Sequence, residues 1–71
     1  MEMTSENLKE VGAWLKAKRA ESGMTSYQLE MDYRLHRNSM HGIESGEKRY
    51  TIKALLQYCE AIGVKITLSD E

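Results

Sequence analysis

Two glycines, Gly23 and Gly46, bound the stretch of this chain that most limits its fold. Just inside it, Thr25 and Gln28 have the spacing of a capping box, in which each side chain satisfies a free backbone N–H group at a helix start. Polar residues at 36–39 open a second helix. Gly46 stands where that helix would end, because glycine readily adopts the left-handed conformation of a helix C-terminus. The stretch therefore predicts two short helices joined by a tight turn.

A longer helix is predicted before this stretch. Thr4 or Ser5 is expected to cap it, and it continues to about Glu21. One face carries apolar residues at spacings of three and four, namely Leu8, Val11 and Leu15. Arg19 continues this face, and an unpaired buried charge is costly. We therefore expect Arg19 either to extend its charge to solvent at the core edge or to pair with a buried carboxylate, for which Glu44 is the expected partner.

A further helix and a strand are predicted in the last third of the chain. Thr51 is expected to cap a helix that runs to Ile62, with a buried stripe of Ile52, Leu55, Leu56, Cys59 and Ile62. Residues 64–68 then alternate strictly between apolar and polar side chains, as in a half-buried strand. Because the sequence holds no other convincing strand, we expect this segment to pair with its own copy across a two-fold axis. A frayed tail or an extra helical turn is the alternative.

Length and composition exclude several classes of protein. A chain of 71 residues can form one domain, here 1–71, with a small core that dimerisation would help to stabilise. The single cysteine cannot form an internal disulfide, and no apolar run reaches the roughly 20 residues that a membrane span requires. The first residues also lack the basic and apolar regions of a signal peptide. We therefore expect a cytoplasmic protein with no membrane partner.

Catalysis finds little support in these residues. His36 and His41 are five positions apart, so on a helix their side chains diverge by about 140° and could not share a metal ion as an i, i+4 pair does. The sequence has no glycine-rich phosphate loop, no second cysteine and no plausible pair of nucleophile and base. We predict that the protein is not an enzyme and that it uses no cofactor or metal.

The net charge of −1 conceals an uneven distribution of charge. Acidic residues gather at the two chain ends, whereas positions 34–49 hold two acids and a larger group of bases, Arg34, Arg37, Lys48 and Arg49. A near-neutral total can therefore hide a basic face opposite an acidic one. A basic face is the usual mark of a surface that binds nucleic acid.

Together these residues resemble the Cro/repressor (Xre) class of helix-turn-helix proteins. The resemblance runs from about Val11 to Val64, and Arg19 with Glu44 matches a structural pair of that class. The turn and core signature of the class is matched by Leu29, Leu35, Met40, Ile43, Glu44 and Gly46. A strand in place of the last helix is similar to the HipB-type antitoxin branch. The resemblance implies an all-α, lambda-repressor-like helix-turn-helix domain of four to five helices with a short C-terminal β-strand.

Two residues depart from the pattern of this class. Glu30 stands where alanine is usual, which would loosen the packing of the two helices unless its carboxylate reaches the domain edge to meet Arg34, Arg37 or His41. Arg34 stands where the glycine of the turn is usual. A left-handed conformation at that position would cost an arginine about 1 kcal/mol.

The resemblance also implies how the domain would bind DNA. The second helix of the motif enters the major groove, and a dimer sets two such helices about 34 Å apart. On this interpretation Arg37 binds guanine through its O6 and N7 atoms, and Asn38 binds adenine. The secondary base contacts are His36, Ser39 and His41, and the expected phosphate contacts are Ser26, Lys48 and Arg49. A solvated helix face is the alternative role for Arg37 and Asn38.

We therefore expect a transcriptional regulator, more specifically a repressor, that binds a palindromic site on double-stranded DNA as a homodimer. The alternative belongs to a different class: a protein-interaction module, such as an antitoxin whose main task is to bind a toxin protein. That alternative is favoured by the slightly acidic balance of charge, by the edge of the predicted strand, and by Trp14, which lies off the apolar face of the first helix.

Overall fold

The computed structural model describes residues 1–47 and 49–70 of the chain. Within these residues all the regular secondary structure is helical. Its four helices are α1 (Leu8–Glu21), α2 (Ser26–Asp32), α3 (Arg37–Ser45) and α4 (Ile52–Ala61). The expected all-α architecture is confirmed. Among the described helices, none has the length and apolar character needed to cross a membrane.

Helix α1 begins later than the sequence predicts, because the polar residues before it form a turn of their own. Asn7, and not Thr4 or Ser5, is the capping position. Its side-chain oxygen accepts from the Thr4 N–H group at 2.8 Å, and its amide donates to the Glu2 carbonyl at 2.8 Å. These bonds hold residues 2–7 outside the helix, so the predicted cap at Thr4 or Ser5 was wrong.

The core lies between all four helices, and its largest fully buried side chains are Leu29, Ile43 and Tyr58. The prediction for α4 was partly wrong. Leu55, Cys59 and Ile62 are buried as expected, but Ile52 is 75% exposed and Leu56 41% exposed. The buried face of α4 is turned toward Tyr58, whose hydroxyl finds a polar partner in the interior and so allows the whole ring to be buried.

That polar partner is Glu44, at the centre of a network that joins three helices. Arg19 of α1 donates from Nε to Glu44 Oε2 at 2.6 Å and from Nη2 to Oε1 at 3.3 Å, so the predicted pair is confirmed. The Tyr58 hydroxyl of α4 donates to the same carboxylate. Burial, together with this bond, raises the pKa of Tyr58 above its usual value, so the hydroxyl stays protonated and can donate.

Helices α1 and α3 approach each other closely at two glycines. A side chain on Gly12 would place its Cβ atom 2.5 Å from the carbonyl oxygens of Ile43 and Glu44. At the end of α3, Gly46 has φ of 69° and would place a Cβ atom 2.5 Å from the backbone of Leu8. The backbone of α1 therefore fixes the position of α3 directly, with no intervening side chain at these points.

The predicted strand at 64–68 is not observed in the single chain. Helix α4 ends at Ala61, and Gly63, with φ of 77°, turns the chain out of it as expected. The Val64 N–H group then donates to the Cys59 carbonyl at 2.8 Å. Residues 64–70 have no regular secondary structure. A strand needs a neighbouring strand for its backbone hydrogen bonds, and the described part of this chain supplies none.

Replacing Gly12 by alanine should destabilise the fold, even though alanine gains about 1 kcal/mol over glycine in an open helix. The added methyl group meets backbone carbonyls that cannot rotate away, and overpacking of this kind costs about 1–3 kcal/mol. Urea unfolding monitored by circular dichroism measures the change. Ala13→Gly is the reverse substitution at an exposed position of α1, and it measures the difference in helix propensity between alanine and glycine without the change in packing. A Gly12→Ala protein more stable than the parent would contradict the close approach of α1 and α3.

Candidate nucleic-acid interface

Helix α2 begins at the capping box that the sequence predicts. The Gln28 N–H group donates to Thr25 Oγ1 at 3.1 Å, and the Thr25 N–H group donates to Gln28 Oε1 at 2.9 Å. Ser26 is the first residue of the helix and is exposed. Because the first N–H groups of a helix have no partner within it, this end of α2 is suited to receive a phosphate oxygen.

The turn between α2 and α3 is held by a buried leucine and closed by a left-handed arginine. Leu35 is almost completely buried, and its N–H group donates to the Leu29 carbonyl at 3.2 Å. Arg34, just before it, has φ of 55°. Arg34 thus adopts the left-handed conformation of the glycine that is usual at this position, at a cost of about 1 kcal/mol. The burial of Leu35 offsets that strain and sets the direction in which α3 leaves the turn.

Helix α3 begins at His36, whose imidazole caps it. The ring atom Nδ1 accepts from the Asn38 N–H group at 3.3 Å. The sequence placed His36 among the secondary base contacts, and the structure adds this local role. The cap leaves the ring exposed at the start of the helix, beside Arg37 and Asn38.

Helix α3 has one buried and one exposed face. Met40 and Ile43 point into the core, whereas Arg37, Asn38 and His41 are exposed. On a helix of 3.6 residues per turn these three fall within one arc of the surface. We call this arc the recognition face. The exposure of these three side chains is what a contact with DNA would require, and their role in binding stays a prediction.

Two further α3 residues lie away from the recognition face. Gly42, next to His41 in the sequence, is buried. Ser39, a predicted secondary base contact, is half-buried. Position 39 lies about 40° from the core residue Ile43 around the helix, which accounts for the partial burial of Ser39.

The remaining predicted residues lie on other elements. Arg49, in the segment between α3 and α4, is exposed. Lys48, its predicted companion, lies outside the described residues. An open groove brings together the start of α3 with α2 and the turn, and it is lined by Glu30, Arg34, Leu35, His36, Arg37 and Asn38. Neither Ser26 nor Arg49 lines this groove.

The sequence left one contact of this groove undecided. Of the three partners considered for Glu30, the structure selects Arg37, with Oε2 and Nη2 3.7 Å apart. The Arg37 side chain is nevertheless 82% exposed, and that of Glu30 is 37% exposed. The Glu30 side chain therefore lies closer to the protein surface at the junction of α2 and α3, and the Arg37 side chain extends further into solvent.

Two short helices at a tight turn, the second with a polar exposed face and an apolar buried one, define a helix-turn-helix domain. A family model described as the Cro/C1-type HTH DNA-binding domain matches residues 15–67, and the chain belongs to this family. The Cro/repressor class expected from the sequence is thereby confirmed, and with it a DNA-binding regulator as the broad function. Comparisons with curated proteins and with solved structures gave no match.

Proposed function

We propose that this protein represses transcription by binding a palindromic operator as a homodimer. The observation that carries the proposal is the orientation of α3, which turns Met40 and Ile43 into the core and leaves Arg37, Asn38 and His41 exposed. An α-helix fits the width of the major groove, where base edges can be distinguished by hydrogen bonds. A cytoplasmic location belongs to the proposal, since the ligand is duplex DNA.

Arg37 and Asn38 would read the bases. The guanidinium of Arg37 can donate two hydrogen bonds to O6 and N7 of guanine, and the amide of Asn38 can both donate to and accept from adenine. Both residues lie in the first turn of α3, the part of a recognition helix that enters the groove in this class of domain. His36 and His41 flank them on the exposed side, and the half-buried Ser39 would contribute least.

The phosphates would be held from the sides of the recognition helix. Ser26 presents the start of α2, and Arg49 presents a charge from the segment after α3. Lys48 is assigned the same role from its position in the sequence. Contacts of this kind fix the position of the protein on the duplex without distinguishing one sequence from another.

The homodimer would form through the C-terminal tail. Leu68 is 96% exposed and Ile66 is 41% exposed, on a segment that has no strand partner among the described residues. The tail lines one side of an open groove over α1 and α4, and Trp14 and Met3 contribute to the apolar part of that groove. Two tails paired across a two-fold axis would satisfy each other's backbone groups and cover these side chains. The two α3 helices could then reach successive turns of one face of the duplex.

A second candidate function uses the same apolar surface. An antitoxin, as in the HipB-type branch, would bind a toxin protein there and bind DNA as a lesser task. The exposed Leu68 and Trp14 favour this candidate. Electrophoretic mobility shifts on random duplex pools separate the two functions. A repressor enriches a palindrome and loses affinity steeply with salt, whereas a protein with no DNA task is not retained by duplex even at low salt.

Arg37→Ala should cost about 1–3 kcal/mol of binding free energy and relax the base preference at one position of each half-site. The variant loses a base contact and leaves the phosphate contacts intact. Arg49→Ala is the matched control, since it removes the same charge from a predicted phosphate contact and should weaken binding to all sequences alike. Sequences selected from a random pool by each variant measure both effects. Equal and uniform losses from both variants would contradict the assigned roles.

Deleting residues 64–71 should convert the dimer to a monomer in sedimentation experiments, because the proposed pairing segment is removed. Leu68→Asp should do the same without shortening the chain, since it places a charge in the apolar contact. Thr67→Asp is the matched control, as its side chain alternates to the opposite side of the extended tail. A dimer that survives both the deletion and Leu68→Asp would place the interface elsewhere on the surface.

A further inference from the structure

We propose that Glu30 is a positioning residue that sets base specificity through Arg37. The inference rests on the proposed function and adds to it a second residue, on α2, that determines which base the arginine accepts. Glu30 would not itself contact the DNA. It would make the Arg37 guanidinium selective for a base edge that offers two acceptors.

The geometry places the carboxylate close enough to act on the charge of Arg37 and too far to occupy its donors. Glu30 Oε2 and Arg37 Nη2 are 3.7 Å apart, which is a charge interaction and is longer than a normal hydrogen bond. A guanidinium carries five N–H donors in a fixed plane. At this distance Glu30 takes up none of these donors, so two of them can still donate to guanine.

Glu30 matters because the other charged residues that line the groove are basic. Of the groove residues it is the one carboxylate, and Arg34, His36 and Arg37 lie around it. Without it, the groove would present Arg34 and Arg37 to any phosphate that came near. With it, the local field is partly neutralised, so binding through charge alone becomes weaker at every sequence.

Specificity follows because Glu30 weakens binding more at a site with the wrong base than at a site with guanine. At guanine, Arg37 gains two hydrogen bonds in fixed directions, which outweigh its attraction to Glu30. At another base Arg37 gains fewer hydrogen bonds, and these do not outweigh its attraction to Glu30, which also keeps it away from the backbone phosphates. A protein discriminates by such differences between affinities, and a repulsive element is an effective way to produce them.

Glu30→Gln tests the proposal, since it removes the charge and keeps the size and shape of the side chain. Binding would be titrated at fixed salt to a selected operator, to the three variants of the base pair that Arg37 reads, and to a random duplex. We expect binding to the random duplex to tighten and discrimination at that one base pair to fall, each by up to about fivefold. Discrimination at the other base pairs should not change.

Two controls separate this role from simpler ones. Asp32→Asn removes the same charge from an exposed position on the same helix and should leave discrimination at that base pair unchanged. In an Arg37→Ala background, adding Glu30→Gln should change no base preference. A preference that still responds to Glu30→Gln in that background would mean that Glu30 reads a base directly, and it would overturn the proposal.

The outcomes also separate this inference from the function on which it rests. Loss of a single base preference in Arg37→Ala, with none in Glu30→Gln, would overturn the role of Glu30 and leave the repressor proposal standing. No binding of the parent protein to any duplex would overturn both. Thermal unfolding of each variant identifies any effect on folding, which would weaken binding to all duplexes and could not tighten it.

Discussion

The contact between Arg19 and Glu44 is the polar interaction that joins the helices of this fold to one another. It ties α1 to α3, the Tyr58 hydroxyl extends it to α4, and a bond from Arg19 Nη1 to the Met24 carbonyl at 3.1 Å extends it to the segment before α2. A hydrogen bond to a charged group contributes about 1.5–3 kcal/mol. In a domain whose whole stability is about 5–15 kcal/mol, losing this network would remove a large share of what holds α3 in place.

The fixed position of α3 is what gives the surface its function. Since Gly12 allows the backbones of α1 and α3 to touch, and Ile43 is held in the core, the helix cannot rotate without breaking both contacts. Arg37 and Asn38 are therefore exposed as a consequence of packing elsewhere. The proposed action of Glu30 would add a second constraint: the fixed helix would present Arg37 and Asn38 to DNA, and the nearby acid would make Arg37 selective.

Much of this arrangement could be predicted from the sequence, and the failures have physical causes. The cap at Thr25 is a local pattern, and a charged Arg19 on an apolar face demands a partner, so both were predictable. The spacing of apolar residues indicates a helix but not its rotation, and for that reason Ile52 was wrongly placed in the core. Tyr58 was missed because its burial depends on Glu44 in another helix. The tail has no strand partner among residues 1–47 and 49–70, so its pairing with a second copy stays a prediction.

The most direct test of the central claim is to map the surface that touches DNA. Two-dimensional NMR spectra of the protein, recorded as a duplex carrying a selected site is added, would report the perturbation of each residue. The account predicts the largest changes at Arg37, Asn38 and His41, which packing leaves exposed on α3. Changes confined to Trp14 and Leu68, with α3 unperturbed, would contradict it.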